Sequence, residues 1–161
     1  MKSSLKKIDS CNISLLKNIK LHENQEQYFS DGEVFEKYAD NPKKYLIGMF
    51  GEEEIIGCFY LDFEENNLDQ YFSNKSLVVL KGLSIRHNFQ GKGIGKLAIL
   101  EFLDTVPNLH FNKKIEIIVL SVNCKNIAAQ RLYKSAGFID THEIYYGGKA
   151  GPQHVYYINV S

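Results

Sequence analysis

Cysteine is scarce in this chain of 161 residues. Cys11, Cys58 and Cys124 are scattered, odd in number and without CxxC spacing, which excludes a disulfide framework and a structural zinc site. No histidine is evidently paired with any of them, so a cysteine nucleophile is not expected. Cys58 lies in an apolar run and reads as a small buried hydrophobe. Long apolar runs are missing too; none approaches the ~20 residues of a membrane span. Residues 1–8 carry lysines but no apolar segment follows, so no signal peptide is expected. Nor is there an excess of either charge. Nineteen basic and nineteen acidic residues cancel, which argues against a nucleic-acid surface and against an acidic tail for a basic partner. Repeats and low-complexity tracts are absent. These absences point to a reducing, cytoplasmic setting.

What remains is an ordinary globular composition, 44% hydrophobic. The length predicts one domain over residues 1–161, large enough to bury about 70% of its unfolded surface. A short edge strand is expected at 6–9 and a helix at 12–21, with Asp9, Ser10 or Asn12 as its cap. A polar turn follows at 22–30. A second short helix at 33–40 must stop before Asn41-Pro42, because the residue before proline avoids the helical region. Residues 45–50 and 55–63 read as a hairpin across a turn of three glutamates. Residues 64–75 are polar and predict a loop that rims a site. Residues 77–85 form an apolar central strand. A helix at 93–105, with Ile94, Leu97, Ala98 and Phe102 on one stripe, ends before Pro107. A buried strand at 114–121, a helix at 125–136 and strands at 138–145 and 154–160 complete the chain, the last two joined by a glycine-rich turn at 145–152.

The central strand runs into Gln90-Gly91-Lys92-Gly93-Ile94-Gly95. Three glycines in five residues let the backbone turn tightly and admit a close neighbour. The helix that follows directs its unpaired N–H groups at the loop, which suits phosphate. The spacing G-x-G-x-G is not the dinucleotide fingerprint G-x-G-x-x-G. Gly91-Lys92 is followed by Gly93 rather than Ser or Thr, so it is not a Walker loop. A second constellation lies downstream, from Asn123 through Asn126, Ala129, Leu132 and Tyr133 to Gly137-Phe138. Asn126 is placed to cap a helix. Ala129, Leu132, Tyr133 and Ala136 fall on its inward face. Gly137 permits a left-handed exit that brings Phe138 back against Tyr133.

Gln90, Gly93 and Gly95 resemble the acyl-CoA loop of the GNAT superfamily of N-acetyltransferases, whose pattern is Arg or Gln, two residues, Gly, one residue, then Gly or Ala. The Asn126–Phe138 stretch resembles the family's second signature at the expected separation, and the element order matches over essentially the whole chain. The resemblance implies a single-domain α/β GNAT fold, a mixed central sheet flanked by helices. It implies acetyl-CoA as acetyl-donor co-substrate. The pantetheine arm would run on the backbone of Leu83, Ser84 and Ile85, and an N–H there would polarise the thioester carbonyl. The diphosphate would meet Gln90, Gly91, Lys92, Gly93, Ile94, Gly95 and Lys96. Asn126 and Ala129 match positions lining the arm, and Tyr133 matches the general acid.

The base is left open, with Asp62, Glu64 and His87 as candidates whose exposed structural roles weigh more. Polyamine-acetylating relatives carry an acidic residue near Lys81-Gly82, where this chain departs from them. Residues 21–29 resemble the first-helix region of bacterial spermine/spermidine acetyltransferases. Glu23, Glu26 and the 64–69 acids would make an acidic mouth. The expected acceptor is a small-molecule primary amine, with a polyamine as leading guess. A peptide N-terminus or protein lysine is the alternative acceptor, and a non-catalytic acyl-CoA sensor the alternative class. Members of this family often pair as homodimers.

Overall fold

The computed structural model describes residues 4–19, 32–52, 54–64, 67–109, 111 and 113–160. The expected turn at 22–30, and with it Glu23 and Glu26, lies outside the described residues. Seven strands form one sheet in the order β1-β2-β3-β4-β5-β7-β6. They are β1 (Ser4–Lys7), β2 (Lys44–Phe50), β3 (Ile55–Asp62), β4 (Leu77–Ile85), β5 (Ile117–Asn123), β6 (Ile139–Tyr145) and β7 (Gln153–Asn159). Every neighbouring pair is antiparallel except β4 and β5. That exception requires a crossover, and α1 (Ile94–Thr105) supplies it. The second helix, α2 (Ile127–Ser135), connects β5 to β6. The fold is the mixed α/β sheet of the GNAT class that the sequence predicts.

β4 reads as a continuous apolar run because it buries both faces. Val78 and Leu80 join the main core with Ile99 and Phe102 of α1. Leu77 and Val79, one residue out of phase, join Ile117, Val119 and Val155 on the opposite face. Phe59 and Phe102 meet edge to face at 5.1 Å and fix α1 to the sheet. A separate cluster beneath β1–β3 holds Ile8, Leu16, Ile19, Phe35 and Tyr60.

Several expectations need correction. The first two helical segments are 3-10 turns, Ile13–Asn18 and Gly32–Tyr38, rather than α-helices. Asn12 does not cap the first of them. Its side chain accepts from the Asp9 N–H at 2.8 Å and donates to the Lys7 carbonyl at 3.2 Å, closing the turn behind it. The buried stripe of α1 is Ile94, Gly95, Ala98, Ile99 and Phe102, while Leu97 is 56% exposed. β5 starts later than expected because the chain at 114–116 is turned against Ser76, whose hydroxyl donates to the Lys114 carbonyl. The 64–75 segment contains a 3-10 turn, Asn67–Tyr71. Leu68 buries in the third cluster, and Asn67 donates to the Tyr145 hydroxyl at 2.8 Å. Among the described residues, no helix is long and apolar enough to cross a membrane.

A bulge interrupts β4. Cys58 pairs with Ser84 and Tyr60 with Lys81, so Gly82 and Leu83 both stand opposite Phe59. Gly82 takes φ +68°, and a Cβ there would lie 2.7 Å from Phe35 Cζ and 2.9 Å from Tyr60 Cε1. Left-handed strain and the ring clash act together, so Gly82→Ala should lower stability by about 2–4 kcal/mol in urea unfolding. An unchanged midpoint would mean that the bulge relaxes without penalty.

Candidate active site

β4 and β5 pair over only three residues, Leu77↔Ile117, Val78↔Ile118 and Val79↔Val119. β5 then continues alongside β7 as far as Asn123, while β4 continues to Ile85 without it. The parted strands open two clefts.

The first cleft, about 420 Å³, lies between the end of β4, the glycine loop and α2. Leu83 and Ile85 line it from β4, and Gln90, Gly91, Gly93, Ile94, Gly95 and Lys96 from the loop and α1. Gly91 and Gly93 adopt φ +73° and +76°, and a Cβ on either would meet nothing within 4 Å. They are glycines for conformation, not for space. α1 starts on Gly93 with no side-chain cap and no acid in its first turn, so its leading N–H groups are available to an anion. Gln90 ties the loop back to the strand, its Nε2 donating to the Ile85 carbonyl at 2.6 Å.

From the other wall, α2 presents Ala128, Ala129, Arg131, Leu132 and Ser135. Asn126 caps that helix by accepting from the Ala129 N–H at 3.3 Å. An anion-binding loop flanked by Lys96 and Arg131, opening on an apolar trough, fits a molecule with a phosphate end and a slender arm. That is the shape of acetyl-CoA.

The second cleft, about 290 Å³, lies across the sheet gap and is lined by Phe35, Tyr60, Lys81, Asn123, Tyr133 and Gln153 among others. Asn126 borders both clefts. Tyr133 is 4% exposed and packs edge to face on Phe138 at 5.6 Å. Burial pushes its phenol well above the ordinary value of 10.0, so it stays protonated. Ala150 in the 146–152 turn forms another wall, held by the Asn123 side-chain amide donating to the Ala150 carbonyl at 2.9 Å.

Not every expected residue comes to these clefts. Ser84 points away and is buried, its hydroxyl donating to the Gly82 carbonyl at 3.0 Å. Lys92 lies outside the first cleft, with its ammonium 5.8 Å from the Phe89 ring centroid. Arg131, Leu132 and Ser135 were not expected there. Their signal was available, since Ala128, Leu132 and Ser135 fall at i, i+4 and i+7, a stripe beside the buried one.

Among the candidate bases, Glu64 is half-exposed beside Lys44 at 3.5 Å, and His87 is exposed on the turn after β4. Asp62 departs from the expected exposed role. It is 3% exposed and its Oδ2 accepts from Lys44 and Lys81, both at 2.8 Å. Burial acts to raise its pKa, but the two lysine hydrogen bonds, the Glu64 N–H and the Lys81 charge outweigh burial and hold it below the ordinary 3.8. None of the three lines the second cleft.

Residues 14–138 match the acetyltransferase (GNAT) family. An uncharacterized N-acetyltransferase, YbbJ, of Bacillus subtilis (strain 168) is 32% identical over 108 residues, 67% of this chain and 66% of that protein. A spermine/spermidine N(1)-acetyltransferase of the same strain is 26% identical over 151 residues, covering 92% and 95%. Among solved structures, the spermidine N-acetyltransferase from Vibrio cholerae, in complex with CoA and spermine, superposes with a TM-score of 0.67 at 19% identity, covering 98% of this chain and 95% of that one. The chain belongs to the acetyltransferase (GNAT) family. It is an N-acetyltransferase.

The Asp62 ion pairs carry a pH signature. A carboxyl whose folded pKa is lowered stabilises fully above its unfolded value of 3.8 and loses that contribution as pH falls through the lower folded value. Asp62→Asn should therefore be less stable than wild type at neutral pH, and the gap in urea midpoint should narrow as pH drops below 3.8. A gap constant through that window would assign the loss to packing alone.

Proposed function

We propose that this chain transfers the acetyl group of acetyl-CoA to the primary amine of a small molecule by direct attack on the thioester. The observation that carries the reading is the meeting of the two clefts at Asn126 in the gap between β4 and β5. The first holds the donor and the second admits the acceptor. Acetyl-CoA supplies an electrophilic carbonyl and a thiolate leaving group. The N-terminus of α1, with Lys96 and Arg131, takes the diphosphate. The edge of β4 at Leu83–Ile85 aligns the pantetheine arm, and one of its N–H groups polarises the carbonyl. Lys92 and Ser84 act only through backbone, since their side chains point elsewhere. Asn126 and Ala129 shape the arm's other side.

Tyr133 gives its phenolic proton to the departing sulfur as the new C–N bond forms and the C–S bond breaks. With no carboxylate or histidine among the described residues lining the second cleft, the amine's proton leaves through water. The tethered Ala150 wall narrows the acceptor side and favours a small molecule over a peptide or protein lysine. The relative named for spermine and spermidine makes polyamines the first acceptors to assay; Lys81 in the second cleft favours a different class.

Thiol release from acetyl-CoA against an amine panel tests the reading. Turnover with small amines is expected; tight acetyl-CoA binding with no turnover on any amine would favour a sensor. Tyr133→Phe should retain acetyl-CoA affinity while turnover falls by about 10²-fold; wild-type turnover would remove Tyr133 from the mechanism. Arg131→Ala should raise the KM for acetyl-CoA about threefold to tenfold, and the difference should shrink as salt is added. An unchanged KM at low salt would place Arg131 outside the donor site.

A further inference from the structure

If the second cleft is the acceptor side, as proposed above, its charge decides which amines it favours. Among its described lining residues Lys81 carries the only formal charge. Its side chain is 37% exposed, and its ammonium donates to Asp62 Oδ2 at 2.8 Å. An ammonium has three donors, and Asp62 accounts for one. Asp62 is itself shared, since Lys44 reaches the same oxygen at 2.8 Å. Lys44 has Glu64 as well, at 3.5 Å, so two carboxylates face the two lysines and the group balances in charge. Among the described residues Asp62 alone is paired with Lys81, which it fixes in position while leaving two of the three ammonium N–H groups for another acceptor.

Phe35 and Tyr60 form the aromatic part of the lining, their ring centroids 5.3 Å apart. Tyr38 packs on both from outside the lining, with the Lys37 and Lys44 ammoniums 5.2 and 5.5 Å from its centroid. An acceptor with several ammonium groups would bring like charge against Lys81. An acceptor with an oxyanion would meet two free donors. The same cation disfavours protonation of a nearby amine, which helps a site whose described lining lacks a base.

We propose that Lys81 is the acceptor-specificity residue and that it receives a carboxylate, so that the preferred acceptor is an amino carboxylate rather than a polyamine. Lysine and cadaverine form a matched pair, since they share the same five-carbon diamine and differ by one carboxylate. In the thiol-release assay, kcat/KM for lysine should exceed that for cadaverine, and that for spermidine, by about tenfold or more, the scale of one charge-assisted hydrogen-bonded pair. Lys81→Met should bring the lysine-to-cadaverine ratio close to one, and Lys81→Glu should invert it. In Lys81→Met, Asp62 keeps Lys44 and the Glu64 N–H, so this variant decides the test; Lys81→Glu sets a second carboxylate beside Asp62 and is read only if its urea midpoint matches that of Lys81→Met.

Calorimetric titration of the CoA-saturated protein with the same two amines reads acceptor binding independently of turnover. A preference for lysine that Lys81→Met abolishes, with no turnover on either amine, would remove acetyl transfer and leave the carboxylate site standing. Equal binding of the two amines, a wild-type preference for cadaverine or spermidine, or a ratio untouched by Lys81→Met would overturn the proposal.

Discussion

The short pairing of β4 with β5 is the constraint on which the site depends. Parallel strands of nine and seven residues share only three residue pairs. Beyond Leu80 the backbone of β4 has no residue paired with β5. Buried backbone polar groups left without a partner cost about 1–3 kcal/mol each. An open strand edge is therefore tolerable only where water or a bound chain can reach it. The fold holds this edge open in two ways. The bulge at Gly82 and Leu83 bends β4 where the strands part. Close contact between α1, β4 and α2 fills the space behind. A Cβ on Gly95 would lie 2.7 Å from both Ile85 Cδ1 and Leu132 Cδ1, so these elements pack as near as glycine permits.

Charge follows the same division. The chain as a whole is neutral, so no long-range field draws an anion in. The positive character is local, in the uncapped start of α1 with Lys96 and Arg131 on one side and Lys81 on the other. Asp62 shows how a buried carboxylate is kept ionised. Desolvation alone would neutralise it, but two ammoniums and a backbone N–H reverse the balance. It holds Lys44 and Lys81 in place across the neighbouring strands β2, β3 and β4. It is committed to those partners and unsuited to taking a proton from an amine.

Most of the architecture was legible because it rests on period. β4 and β5 bury both faces and read as apolar runs. α2 buries one face and reads as a stripe. The glycine loop was legible because φ near +75° at Gly91 and Gly93 demands that residue. What failed rests on side chains that choose between two local bonds. Asn12 closes a turn with Asp9 and Lys7 where a cap was expected. Leu97 matched the helical spacing, yet the stripe turned toward Gly95 and Ile99, because α1 must approach α2 through its smallest residue. The bulge had a signal, a glycine inside a strand, whose meaning depended on Phe35 and Tyr60 packing over it from distant segments. Arg131 was missed because α2 was assigned one functional face when it has two.

The two faces of α2 explain why Asn126 borders both clefts. Seven residues are close to two helical turns, so Asn126 and Tyr133 stand one above the other on the second cleft. Ala128, Leu132 and Ser135 stand together on the first. The cap bond from the Ala129 N–H to Asn126 sets where the helix begins and hence its phase. A slip of one residue would rotate every side chain by about 100°, carrying Tyr133 off its seat on Phe138 and out of the gap. The α2 wall of the first cleft and the Tyr133 phenol on the second are thus aligned by the same helical start. The turn that ends the helix repeats the constraint from the other side. Gly137, at φ +103°, lets the Phe138 N–H return to the Tyr133 carbonyl at 3.0 Å. Tyr133 is fixed by the cap before it and the glycine exit after it, which is the fixed position that the proton-donor role proposed for it requires.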